Sequence, residues 1–105
     1  MSGIRVGGFE GMEYGVFKVK PGVSEKEMTR AAEEMEERFL SQEDGFIGHA
    51  ILKGKDGQYV DLAFATSQEK AEEICGKWMQ NEFALKYLEF IDPDSVDISF
   101  WSRIK

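Results

Sequence analysis

The chain has 105 residues, of which 42% are apolar, 31% charged and 12% aromatic, the size and composition of one globular domain. Its 20 acidic and 13 basic side chains give a net charge of −7. This charge argues against nucleic acid and anionic membranes as partners, since both are bound largely through cationic groups. The single cysteine, Cys75, excludes an intrachain disulfide. No apolar run approaches the ~20 residues of a membrane span.

We expect a cytoplasmic protein. The start of the chain lacks the apolar core of a secretory signal, and one cysteine fits a reducing compartment. Residues 1–11 contain four glycines and are expected to form a flexible arm. Residues 12–105 then form a single domain.

The first half of that domain predicts a strand followed by a helix. Residues 12–20 are rich in β-forming side chains and end at Pro21 and Gly22, which favour a turn. Ser24 and Glu27 have the spacing of a capping box at the start of a helix. The helix has an apolar face, and its opposite, acidic face is expected to be solvated. The apolar face comprises Met28, Ala31, Ala32, Met35 and Phe39, and the acidic one Glu33, Glu34, Glu36 and Glu37.

The second half predicts a hairpin, a broken helix and a last strand. Residues 45–67 read as two strands joined by a turn at residues 55–57. Thr66 is expected to cap a second helix, and Asn81 a further segment that ends at Asp92 and Pro93. The apolar stripe of the second helix consists of Ala71, Ile74, Cys75, Trp78 and Met79. Residues 95–104 alternate as a strand. The order β-α-β-β-α-β predicts an α+β, ferredoxin-like fold, with a four-stranded antiparallel sheet and helices on one face.

The register of the hairpin decides which side chains share a face. If Gly57 is left-handed in a three-residue loop, Gly54 lies opposite Gln58. One sheet face then carries Leu52, Val60, Leu62 and Phe64, and the other carries His49, Ile51, Asp61, Ala63 and Ala65. Because helices cover only one face, the apolar side chains of the first set predict a homodimer that stacks sheet on sheet. A two-residue turn would instead place His49 beside Phe64.

Four segments resemble the dimeric α+β barrel superfamily, and within it the antibiotic-biosynthesis-monooxygenase-like (ABM-like) proteins. They are residues 45–49 (GFIGH), 56–60 (DGQYV), 64–71 (FATSQEKA) and 78–83 (WMQNEF). The resemblance implies a homodimer whose sheets form a barrel, with a pocket between sheet and helices in each subunit. Two departures matter. Ala65 stands where many members have the tryptophan of a Trp-x-Ser motif, and residues 83–90 lack the iron-binding histidine of the haem-degrading branch.

His49 and Asp61 are the candidate catalytic pair, because they share a sheet face one residue pair apart. A carboxylate there can orient the imidazole as a general base. The alternatives are a half-buried histidine that is hydrogen-bonded to the sheet or to Asp61 without a catalytic role, and an Asp61 paired with Lys53 or lying on an exposed edge. Candidate ligand contacts are Ile51, Ala63, Ala65, Trp78, Phe83 and Tyr87, which serve equally as ordinary core. No His and Cys spacing suits a metal, and no glycine-rich loop suits a nucleotide, so we expect no cofactor.

These residues support three hypotheses about function. The first is a homodimer that binds a largely apolar molecule, an acyl chain or an aromatic metabolite, between sheet and helices. The second is a cofactor-independent monooxygenase, or a proton-transfer isomerase or cyclase, with His49 as the base. The third is a purely structural dimer.

Overall fold

Four strands and three α-helices are present in the computed structural model, which describes residues 7–105. The strands are β1 (Gly11–Phe17), β2 (Phe46–Lys53), β3 (Tyr59–Ala65) and β4 (Asp97–Ser102), and the helices are α1 (Glu25–Arg38), α2 (Gln68–Cys75) and α3 (Glu82–Leu88). Short 3-10 turns cover Leu40–Gln42, Trp78–Gln80 and Pro93–Ser95. The strands form one antiparallel sheet in the order β2-β3-β1-β4. This confirms the ferredoxin-like fold that the sequence predicts.

The hairpin adopts the register that the three-residue loop predicts. Leu52 pairs with Val60, and His49 pairs with Ala63. The Gly54 amide donates to the Gln58 carbonyl oxygen at 2.8 Å. Gly57 is left-handed with φ 73°, and Asp56 joins it at φ 57°. The alternative turn that would place His49 beside Phe64 is therefore wrong.

The sheet has a helix-covered inner face and an uncovered outer face. In β1 and β3, buried and half-buried residues alternate strictly. The inner positions of these two strands are Gly11, Glu13, Gly15 and Phe17, with Tyr59, Asp61, Ala63 and Ala65. The apolar face of α1 packs toward the inner face, and its Met28 and Met35 are fully buried in the core. The inner face therefore carries two carboxyl groups, Glu13 and Asp61, into the core.

The helix starts are set by side-chain caps, two of them as predicted. Ser24 accepts a hydrogen bond from the Glu27 amide at 3.1 Å, and Asn81 accepts from the amides of Phe83 and Ala84. The prediction of Thr66 as the cap of α2 is wrong, because Ser67 accepts from the Lys70 amide at 3.0 Å. The Thr66 amide still donates to the Gly45 carbonyl, so the chain enters the helix one residue later.

The second predicted helix is interrupted earlier than its apolar stripe suggests. α2 ends at Cys75, and a 3-10 turn over Trp78–Gln80 leads into α3. This turn buries Trp78 but leaves Met79 71% exposed. The assignment of Met79 to the apolar stripe is therefore wrong, since a 3-10 turn does not continue the 3.6-residue period.

The first and last strands are shorter than predicted at their shared end. β1 stops at Phe17, because the backbone of residues 18–20 bonds to residues 90–95 instead of to a strand. β4 begins at Asp97, after the 3-10 turn that Asp92 caps.

The predicted arm of residues 1–11 reaches into the sheet at its far end. Gly11 begins β1, and the Phe9 ring lies 4.8 Å from the Phe64 ring, between centroids. For residues 1–6 the arm stays a prediction, because they lie outside the described residues. Along residues 7–105, no helix is long and apolar enough to cross a membrane.

Candidate functional site

Asp61 lies buried in the middle of β3 with both carboxylate oxygens occupied. Its Oδ1 lies 2.8 Å from Nε2 of His49, and its Oδ2 accepts from the Tyr87 hydroxyl at 2.7 Å. Asp61 is only 7% exposed, and a buried carboxylate requires such partners. The predicted His49–Asp61 contact is present. The alternative pair with Lys53 is wrong, because Lys53 lies 3.0 Å from Glu25 at the surface.

The carboxylates around His49 favour its protonated form. Its side chain is 4% exposed, and this burial by itself lowers the pKa. The hydrogen bond to Asp61 and the charges of Asp61 and Glu36 outweigh burial, so the pKa lies above its usual value. Nδ1 of His49 lies 3.8 Å from Oε1 of Glu36. Glu36 is thus half-buried beside His49, not on the solvated acidic face that the sequence predicts for it.

Glu13 is a buried carboxyl group that our sequence analysis missed. It is 4% exposed on the inner face of β1, and its Oε2 accepts from the Cys75 thiol at 3.5 Å. Its Oε1 has no hydrogen-bond partner among the described residues. Burial, and then the charge of Asp61, raise the pKa of Glu13 to about 7. A signal was available in the alternation of β1, which puts Glu13 on the same face as the apolar Phe17.

The neighbours of the two carboxyl groups stay protonated at neutral pH. Burial, and then the charge of Asp61, raise the pKa of the Tyr87 hydroxyl far above its usual value, so Tyr87 remains a donor. Burial and the charge of Glu13 raise the pKa of the Cys75 thiol to about 12. A thiol in that state is a poor nucleophile. Cys75 therefore serves as a weak donor to Glu13.

A small cavity of about 40 Å³, which we call the inner cavity, lies between the sheet and α3. Its wall consists of Glu13, Gly15, Val16, Phe17, Asp61, Trp78, Tyr87, Leu88, Ile91, Val96 and Ile98. Nε1 of Trp78 also lacks a partner among the described residues, although Trp78 is only 8% exposed. Val96 and Ile98 are 37% and 44% exposed, so the cavity reaches the surface beside β4. It is thus an apolar recess with two unpaired polar atoms.

A second cavity of about 180 Å³, the outer cleft, lies between α1 and β2. Its wall consists of Thr29, Ala32, Glu33, Glu36, His49, Ala50 and Ile51. Asp61 and Tyr87 belong to the wall of the inner cavity, and His49 belongs to the wall of the outer cleft. Asp61 accepts hydrogen bonds from Tyr87 and from His49 and so connects one wall to the other.

The predicted ligand contacts separate into three groups. Trp78 and Tyr87 lie in the wall of the inner cavity, and Ile51 lies in that of the outer cleft. Ala63 and Ala65 are buried on the inner face but belong to neither wall. Phe83 also lies outside both walls, with Arg38 and Lys86 about 6 Å from its ring centroid, at 6.0 and 5.9 Å. For all six residues a role in ligand binding stays a prediction.

Trp78 and Tyr87 also belong to the aromatic core. Their ring centroids lie 5.9 Å apart, and Phe17 follows at 6.3 Å from Tyr87. Both rings therefore pack as core residues while their polar atoms line the cavity or reach Asp61. Within residues 7–105, no three His, Cys, Asp or Glu side chains cluster in a way that could hold a metal ion.

Comparison with known proteins identifies the fold. No protein-family model and no curated protein sequence matches the chain. A proposed antibiotic biosynthesis monooxygenase from Bordetella bronchiseptica is similar in structure, with TM-score 0.73 and 12% identity over 93% of this chain and 100% of that one. SnoaB, a cofactor-independent oxygenase from Streptomyces nogalater, is similar with a TM-score of 0.70 and 15% sequence identity, over 93% of this chain and 96% of SnoaB. A proposed antibiotic biosynthesis monooxygenase from Nitrosomonas europaea is similar with a TM-score of 0.65 and 14% sequence identity, over 90% of this chain and 99% of that one. The chain thus has the ABM-like fold that its sequence resembles.

Proposed function

We propose that this protein binds a small, largely apolar molecule through the inner cavity. The observation that carries the proposal is that two residues of the cavity wall, Glu13 and Trp78, each have a buried polar atom, Oε1 and Nε1, without a partner among the described residues. Leaving one buried polar atom unpaired costs about 1–3 kcal/mol. A polar group of a ligand would supply the missing hydrogen bonds.

The apolar part of the ligand has a matching surface next to the cavity. A volume of about 40 Å³ accepts only a small group, so only the polar end enters. Val96 and Ile98 lie at the mouth and expose a third or more of their surface to solvent. An aromatic ring or an acyl chain that covers them removes apolar surface from water, which favours binding.

We also propose that the protein is a homodimer, because the outer face of the sheet carries apolar side chains that no helix covers. Leu52 and Trp101 on that face are 52% and 55% exposed, and Val60, Leu62 and Phe64 are half-buried. A continuous apolar sheet face of this kind is suited to burial against a second subunit.

The binding proposal is tested by filling the cavity. Gly15 lies in its wall, and a side chain there would meet Ile98 and Asp61 at ordinary contact distances. We expect native mass spectrometry of the purified protein to detect a retained small molecule, and Gly15→Val to abolish retention. Gly8→Val is the matched control, because no atom lies within 4 Å of a Cβ atom at Gly8 and the position is outside both the cavity wall and the strands of the outer face. If neither a retained molecule nor a hit from a lipid and aromatic-compound screen is found, the proposal fails and a purely structural role remains.

A second candidate function, catalysis by proton transfer, is favoured by the Tyr87–Asp61–His49 chain. Tyr87 and Asp61 line the inner cavity, and His49 lies behind them toward the outer cleft. A proton taken from a ligand could pass to the hydrogen-bonded side chains of Tyr87, Asp61 and His49. Such proton transfer suits an isomerase, a cyclase or an oxygenase. The structural similarity to SnoaB, a cofactor-independent oxygenase, supports the last of these. Because the pKa of His49 is raised, such activity would increase as the pH rises through it and His49 becomes neutral.

The catalytic alternative is tested on the molecule recovered by mass spectrometry. A proton-transfer enzyme would introduce deuterium into it in D₂O, and an oxygenase would introduce ¹⁸O from labelled O₂. His49→Asn and Tyr87→Phe should each suppress labelling. Absence of both labels with the unaltered protein would leave binding as the function.

A further inference from the structure

The two unpaired atoms of the inner cavity differ in what they can bind. The indole Nε1–H of Trp78 can only donate a hydrogen bond, whereas an ionised Glu13 can only accept one. Both residues are more than nine-tenths buried, and both belong to the wall of the same cavity of about 40 Å³. A small polar group held in this cavity would therefore lie beside both residues.

We propose that Glu13 and Trp78 together select a hydroxyl group as the polar end of the ligand. The hydroxyl donates to Oε1 of Glu13 and accepts from Nε1 of Trp78. A hydroxyl is the smallest neutral group that offers a donor and an acceptor on one atom. This inference rests on the proposed function, because it names the chemistry of the group that the inner cavity takes.

Asp61 shapes this selectivity without binding the hydroxyl itself. Its two oxygens are already engaged by His49 and Tyr87, so it does not compete with Glu13 for the ligand's proton. Asp61 lies in the same wall, however, and like-charge repulsion from its carboxylate disfavours the binding of an anionic ligand group in the cavity.

Other polar groups fit this pair less well. A carboxylate would meet the charges of Glu13 and Asp61. An ammonium group has no acceptor for the Trp78 N–H. A methyl group would leave both atoms unpaired. We therefore expect a ligand such as a phenol or an apolar alcohol, and not a fatty acid, an amine or a plain hydrocarbon.

Four single-ring probes test the assignment at pH 8, above the pKa of about 7 at which Glu13 ionises: phenol, toluene, benzoate and benzylamine. Binding is followed by ¹H–¹⁵N NMR through the two indole N–H signals, which Trp78→Phe and Trp101→Phe assign. We expect phenol to bind at least about tenfold more tightly than toluene, the effect of a good hydrogen bond to a charged group. Phenol should shift the Trp78 signal and leave that of Trp101, which lies on the outer face, unchanged.

Variants with matched controls separate selectivity from folding. Glu13→Leu removes the acceptor and Trp78→Phe removes the donor, and each should reduce the preference for phenol over toluene to about one. Glu13→Gln keeps an acceptor oxygen but no charge, so it should retain phenol and weaken the rejection of benzoate. Glu89→Leu and Trp101→Phe make the same kinds of change outside the cavity and should preserve the preference.

The possible outcomes are distinct. If none of the four probes binds although native mass spectrometry or the screen finds a ligand, the hydroxyl assignment is overturned and the proposed function stands; if no ligand is found by any of these measurements, both fail. If toluene, benzoate or benzylamine binds as well as phenol, the cavity binds small molecules but the hydroxyl assignment is overturned. The assignment is also overturned if phenol binds without shifting the Trp78 signal, since ordered water would then suffice for the two atoms.

Discussion

Asp61 and Glu13 are the two carboxyl groups on the buried inner face of the sheet, and they differ in their hydrogen-bond partners. Asp61 is the better satisfied of the two. Its Oδ1 bonds to Nε2 of His49, and its Oδ2 accepts a hydrogen bond from the Tyr87 hydroxyl. This carboxylate, which is 7% exposed, therefore has two strong partners. Glu13 lies next to this arrangement with only a weak thiol donor on one oxygen. Burial, and then the charge of Asp61, raise the pKa of Glu13 to about 7, so Glu13 titrates near neutral pH.

The raised pKa of Glu13 makes stability fall as the pH rises. Below its usual value of 4.5, Glu13 is protonated in both the folded and the unfolded chain. Between 4.5 and about 7 the unfolded chain releases this proton while the folded chain keeps it, so folding is penalised. The raised pKa of His49 acts in the same direction, because its stabilising charge is lost as the pH rises through that pKa.

We predict that Glu13→Gln removes most of this penalty. The difference between 4.5 and about 7 corresponds to about 3 kcal/mol. The free energy of unfolding should therefore rise by up to that amount at pH 8 and change little at pH 4, as measured by urea denaturation. Glu89→Gln, at an exposed position, should have no comparable effect. A stabilisation by Glu13→Gln that is equal at both pH values would contradict the assignment.

At the level of elements, the start of α2 lies directly on the sheet at Gly11. A Cβ atom added at Gly11 would overlap the backbone of Ser67 and Gln68, where α2 begins. Only glycine lets β1 and the helix start approach this closely. Ala65, opposite Gly11 in the register, is similarly small and 1% exposed. These small residues serve the packing of α2.

We predict that Gly11→Ala destabilises the fold by about 3 kcal/mol, because backbone atoms cannot move aside as a flexible side chain would. Gly48→Ala is the control, since nothing lies within 4 Å of a Cβ at that strand position. It should be neutral or slightly stabilising. Urea denaturation of both variants at one pH measures the difference. Equal effects would show that α2 can shift away from β1.

At the level of the whole molecule, the outer face of the sheet is an apolar surface that no helix covers. Leu52, Val60, Leu62 and Phe64 lie on it as the sequence predicts, together with Trp101. Covering this face explains why strands β2 and β3 are apolar on both sides. The homodimer and its interface remain predictions.

We predict that Leu62→Lys converts a dimer into a monomer at micromolar concentration, because a buried lysine in an apolar interface has no partner. Light scattering after size exclusion measures the mass. Leu85→Lys is the control, since Leu85 is 39% exposed on α3 and should leave the dimer intact. A monomeric unaltered protein at these concentrations would refute the interface.

Local patterns predicted most of the fold. Ser24 and Asn81 marked helix starts, and Gly57 fixed the register that brings His49 and Asp61 to one face. These features depend on residues within a few positions of each other, where backbone geometry dominates. The prediction was poorer where a distant segment competes, as at the end of β1, where the backbone bonds to residues 90–95.

Local sequence patterns predicted only part of the candidate site, because the rest depends on contacts between segments that are far apart in sequence. Alternation along a strand shows which side chains share a face, so the His49–Asp61 contact followed from the hairpin. The two cavities, the unpaired atoms of Glu13 and Trp78, and the Tyr87–Asp61 bond depend on where β1, β3 and the chain around α3 meet. Those segments are far apart in sequence, and only packing decides their distance and burial. Burial in turn sets the pKa of Glu13 and leaves its oxygen without a partner.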